Sequence, residues 1–154
     1  MSKQIKNPGI PVLTVIVLLI VFGAFFLFTL FNATPTETEA GTLSNEQLEE
    51  RAAELLANAD PARGEALLTT YSCVACHRTG AENGVAPSFV GIAERAAEER
   101  PPLSAAAYIY QSIIDPAAYL VEGYAASMPY NFGERISDEE LGDIIGYLLT
   151  PDAH

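Results

Sequence analysis

The chain has 154 residues, with 20 acidic against 8 basic side chains and a formal net charge of −12. Lys3 and Lys6 are the only charges before Glu37; beyond residue 36 there are six arginines, no lysine and a net charge of 6 − 20 = −14. Such a surface repels phosphate backbones, which excludes a nucleic-acid binder, and it favours basic or neutral protein surfaces.

Residues 1–9 form a short N-terminal segment. Ile10 to Phe31 carry no charge over 22 residues, and as a helix they would span about 33 Å, the hydrocarbon thickness of a bilayer. Pro11 stands near the start, where a missing N–H costs little. Lys3 and Lys6 precede the run and Glu37 and Glu39 follow it, so the positive-inside bias predicts a single-pass anchor over residues 10–31. The N-terminus then faces the cytoplasm, and the rest lies on the outer, periplasmic side of a bacterial cytoplasmic membrane. A cleaved signal peptide would have a shorter apolar core and small residues at its cut. Residues 32–43, NATPTETEAGTL, are small, polar and acidic and read as a tether.

Residues 44–154 read as an all-α domain. Ser44 with Gln47 makes a capping box before EQLEERAAELL, and Asp60-Pro61 opens PARGEALLTTYS. Ser104 caps AAAYIYQSII, which ends near Asp115-Pro116; Ser137 with Glu140 opens DEELGDIIGYLLT, stopped by Pro151. No alternating strand pattern is present. Gly- and Pro-rich loops at residues 78–92, 99–102 and 121–135 leave a small protein core, which a large apolar group would fill.

Both cysteines and one of the two histidines fall in YSCVACHRTG, residues 71–80. A zinc site needs four donors, and only the terminal His154 is left to complete Cys73, Cys76 and His77. A thioredoxin-like dithiol would sit beside strands. A structural disulfide fits an oxidising compartment but does not call for His77. Haem accounts for all three residues: two thiols bond the vinyl groups, and the adjacent imidazole becomes the proximal iron ligand. The one methionine besides the initiator is Met128, in ASMPYNFG. Its ordinary reading is a gap-filling apolar residue, but Pro129 stiffens its loop, and a thioether held there suits the second axial position. His154, at the terminus, is the weaker substitute.

With these residues in place, the chain resembles the monohaem class I c-type cytochromes over about residues 60–150. A helix containing Gly64 precedes Cys-x-x-Cys-His, APSFVGIAER is similar to the family's Pro-x-Leu-x-Gly…Arg loop, and a Met-Pro loop and an aromatic-bearing last helix follow. The resemblance implies one covalent haem c in a small helical domain. It also implies a Pro87 carbonyl that accepts a hydrogen bond from His77, and Arg95 near a haem propionate. The other reading of Arg95 is a solvated charge among Glu94, Glu98 and Glu99. Phe89 stands where the family usually has leucine. The terminal helices should cross at Gly64, with Leu67 or Leu68 against Ile144 and Tyr147. Tyr108, Tyr110, Tyr119, Tyr124 and Tyr130 are expected as pocket wall or core.

Residues 112–150 also resemble cytochrome domains attached to respiratory complexes, such as terminal oxidases, nitric oxide reductases and alternative complex III. The resemblance implies one-electron transfer with no catalytic residues, within a respiratory or photosynthetic chain. The partners would be subunits of a membrane redox complex or a soluble electron-transfer protein. Two alternatives stay open: a haem enzyme of peroxidase or nitrite-reducing type, and a haem sensor with a labile Met128.

Overall fold

The computed structural model describes residues 9–32, 43–77 and 84–154, with side chains in the first segment for residues 14–29. The expected segment 1–9 and tether 32–43 lie, but for their residues 9, 32 and 43, outside the described residues. The chain divides into two units, Met1–Ala40 and Gly41–His154.

The first unit contains α1 (Gly9–Asn32), a 24-residue helix. Its large apolar side chains are exposed without interruption from Val15 to Phe22 and from Phe25 to Phe28, so all its faces are apolar. Among the described residues no helix is long and apolar enough to cross a membrane. The anchor expected over residues 10–31 is therefore not shown by the fold.

The second unit is helical among its described residues: α2 (Asn45–Leu56), α3 (Pro61–Thr70), α4 (Cys73–Cys76), α5 (Ile92–Glu99), α6 (Ala105–Ile114), α7 (Phe132–Arg135) and α8 (Asp138–Leu148). The caps read from sequence start these helices. Ser44 and Ser137 each sit in a complete capping box, Asp60 accepts from Ala62 N, and Ser104 accepts from Ala107 N. These contacts satisfy N–H groups that have no partner inside the helix.

The centre of the fold is the crossing of α3 on α8. A Cβ on Gly64 would lie 2.3 Å from Asp143 O and 2.4 Å from Tyr147 Cβ, so only glycine permits this approach. The expected partner Tyr147 is there, and Leu68 and Ile144 are both fully buried. Asp143, 1% exposed, closes the junction: its Oδ1 accepts from Asp60 N at 2.6 Å and its Oδ2 pairs with Arg63 Nε at 2.9 Å. A buried carboxylate needs such partners to be tolerated.

Helix α2 forms the back of the domain. Leu48, Ala52 and Leu55 bury one stripe against α6 and α8, and Gly142 of α8 meets Leu55 O closely enough that a Cβ would stand 2.4 Å from it. Polar bonds fasten the same helix at two points. Glu49 accepts from the backbone N and hydroxyl of Ser104 at 2.5 and 2.7 Å, and Arg51 pairs with Asp138 at 2.5 Å. Both contacts reach the N-terminal ends of helices that line the other side of the domain.

Candidate haem site

The CVACH segment is shaped by a sharp reversal. Helix α3 ends at Thr70, and Ser72 takes a left-handed conformation (φ 62°), which costs a non-glycine residue on the order of 1 kcal/mol. The chain then makes the single turn α4, setting Cys73 and Cys76 one turn apart, and His77 N closes on Cys73 O at 3.0 Å. No disulfide joins the two cysteines. Burial pushes the Cys73 thiol up, the opposite of the lowered value that marks a redox-active dithiol.

Cys73, Cys76 and His77 line a cavity of about 410 Å³, together with Pro87 and Met128. Its walls are mainly apolar, from Leu68 of α3, Phe89 and Ile92 before and in α5, Ile109 and Ile113 of α6, and Ile144 and Leu148 of α8. The volume lies within the roughly 300–1,000 Å³ of cofactor pockets. A smaller pocket of about 100 Å³ shares His77, Pro87, Tyr108 and Met128 with it and adds Tyr119, Tyr124 and Tyr130. Tyr110 is buried in the core beside α2, as expected, and does not line this cavity.

His77 is held on two sides by the loop 86–91. Its Nδ1 lies 2.7 Å from Pro87 O, and its ring stacks on Phe89 with centroids 4.5 Å apart and planes 6° from parallel. A carbonyl can only accept, so Nδ1 carries the proton and Nε2 keeps its lone pair. Burial pushes His77 below its ordinary value, with the Pro87 carbonyl working the other way. The ring is thus kept neutral and ready to act as a ligand.

Met128 reaches the cavity from the long loop between α6 and α7, where Ser127 N bonds Ala125 O at 2.8 Å and Pro129 follows. It is half-buried and packs on the core. His154 lies elsewhere: its Nδ1 sits 3.2 Å from Tyr147 Oη and 2.7 Å from Asp152 O, and its Nε2 faces Glu65.

The structure thus brings together five of the six residues singled out in the sequence. The sixth, Arg95, is exposed on α5, is not among the cavity lining, and donates to the carbonyls of Val90 and Ser88. Among the described residues the arginine that lines the cavity is Arg135, its guanidinium 5.6 Å from the Phe132 ring centroid. Beside it Tyr71 lines the wall and donates to Glu140 Oε2 at 3.0 Å. Neither was foreseen, and only the nearness of Tyr71 to Cys73 in the sequence could have suggested one of them.

Two thiols one turn apart, a neutral imidazole with its Nε2 free, a thioether from a distant loop and apolar walls fit a covalently attached haem by the chemistry of the donors. Fold and site define an all-α domain whose apolar cavity is lined by two thiols, an imidazole and a thioether. The family model for cytochrome c matches residues 61–151, and the chain belongs to the cytochrome c family. Members bind haem c covalently and are in general electron carriers. No match was found among curated proteins or among solved structures. Helix α2 lies outside the matched residues.

Proposed function

We propose that this protein holds one haem c in the cavity, with His77 and Met128 as axial ligands, and transfers single electrons in a respiratory or photosynthetic chain. One observation carries the reading: His77 and Met128, far apart in sequence, line one apolar cavity together with both cysteines. When bound, the haem supplies the Fe(II)/Fe(III) couple. The chain's own residues do the rest. Cys73 and Cys76 fix the position of the group, and Pro87 O fixes the tautomer and direction of His77. Met128 supplies a soft sulfur that favours the reduced state. The apolar walls keep water out. With both His77 and Met128 as its ligands, the group would offer no open position to a substrate, which would set a carrier apart from an enzyme. The oxidised protein is expected to show the weak long-wavelength charge-transfer band of methionine ligation; a spectrum without it would overturn the assignment of Met128.

Residues 10–31 serve in this reading as a single-pass anchor, with Lys3 and Lys6 on the cytoplasmic side and the haem domain outside. The charge-free run and the apolar faces of α1 support it. The haem domain would work as a subunit of a membrane redox complex, or as a tethered shuttle that meets such a complex or a soluble carrier. The full chain should stay with membranes through a high-salt wash and leave them in mild detergent. Release by salt alone would refute the anchor, and co-migration with a large complex after extraction would identify a subunit.

A further inference from the structure

The loop 86–91 touches His77 twice, through the Pro87 carbonyl at 2.7 Å and the parallel Phe89 ring. Among the described residues few backbone bonds hold that loop. Val90 N reaches the Ser88 hydroxyl at 3.2 Å, Ile92 N bonds Phe89 O at 2.9 Å, and Gly91 turns the chain into α5 at φ 66°. Pro87 has no N–H to give. Arg95, one turn into α5, reaches back and supplies what is missing: Nη1 donates to Val90 O and Nη2 to Ser88 O. These carbonyls flank Phe89, so one planar guanidinium spans the residue on which the imidazole is stacked. A Lys ammonium cannot reproduce that fork, because it is a point charge on a flexible stem.

We propose that Arg95 is a positioning residue for His77. It acts by fixing the loop that presents the Pro87 carbonyl and the Phe89 ring, and not as a cation at the cofactor. The proposal rests on His77 being an axial ligand. It predicts a sign that a charge effect would not give. A firm Nδ1–H···O bond makes the imidazole a stronger donor and favours the oxidised state, so loosening the loop raises the reduction potential. Removing a nearby positive charge does the reverse, since a cation favours the state with less positive charge.

The experiment compares the full-length holoprotein with its Arg95→Gln and Arg95→Lys variants, by redox titration and by solvent exchange of the His77 Nδ1 proton in the reduced state. Both variants are expected to shift to higher potential, and to exchange that proton on the order of tenfold faster, because the hydrogen bond is weakened. Arg95→Lys keeps the charge, and it decides the matter alone if Arg95→Gln does not hold haem. A lower potential in Arg95→Gln with a wild-type value in Arg95→Lys would overturn the proposal in favour of a charge role. Unchanged potentials and exchange rates would overturn it as well. Absence of the methionine band from the wild-type spectrum would instead strike the Met128 assignment, while the His77 exchange rates would still decide the role of Arg95.

Discussion

Gly64→Ala is expected to destabilise the domain by roughly 3 kcal/mol, the upper end of the usual cost of overpacking, read as a lower urea midpoint of the holoprotein. The added methyl would sit 2.3 Å from Asp143 O and 2.4 Å from Tyr147 Cβ. One is a backbone atom and the other the first carbon of a buried side chain, so neither can swing away as the tip of a long side chain would. Helix α3 must then lift off α8. That movement pulls Asp60 N and Arg63 away from Asp143, whose carboxylate is buried and depends on both. It also opens the cavity, because α8 contributes Ile144 and Leu148 to the wall and α3 leads directly into the cysteine turn. Gly133→Ala is the control. Its Cβ would meet Ile114 no closer than 3.6 Å, an ordinary contact, so its midpoint should stay within about 1 kcal/mol of wild type. Equal midpoints for Gly64→Ala and wild type would show that the crossing is looser than described.

Met128→Ala and Met128→Leu are both expected to lower the reduction potential by on the order of a few hundred millivolts, a sizeable part of the roughly 0.8 V over which axial ligands set haem potentials. The two variants separate two roles of one side chain. Met128 packs on the core as well as lining the cavity. Leucine keeps most of the apolar volume and alanine does not, so a packing role would leave the leucine variant near wild type. A ligand role would move both alike, because the thioether sulfur is lost in each. Loss of the long-wavelength band in both should accompany the fall in potential. An unchanged band and potential in the leucine variant would remove Met128 from the axial position.

Much of this site was legible in the sequence because its chemistry needs particular side chains at particular spacings. Two thiols and an imidazole in CVACH, one methionine before a proline, and a glycine at a helix crossing leave few alternatives. The helix starts were legible for the same reason: Ser44, Asp60, Ser104 and Ser137 bond the N–H groups of the turn they open. Helix α5 announces itself less, since Gly91 at its N-cap makes no side-chain bond and works through its backbone angle. The four residues of α7 follow Asn131, whose side chain makes no capping bond either, inside what reads as loop. Arg95 was singled out, yet its bonds go to main-chain carbonyls, and a carbonyl looks the same whichever residue carries it. Arg135 and Tyr71 enter the wall through tertiary contacts, Tyr71 Oη donating to Arg135 O and Glu140 Oε2, which have no local signature. The membrane span expected over residues 10–31 is read from the charge-free run and its flanking charges, and the fold does not show it.

Helix α2 is the first element of the haem domain that any pull along the chain from its N-terminal side would meet. Its fastenings to Ser104 and Asp138, and its buried stripe of Leu48, Ala52 and Leu55, pass that load into the far ends of α6 and α8. None of its residues belongs to the cavity wall. Its fastenings thus lie away from the cavity, at the N-terminal starts of α6 and α8. A pull along the chain from that side would load these contacts before it reached those that hold His77 and Met128.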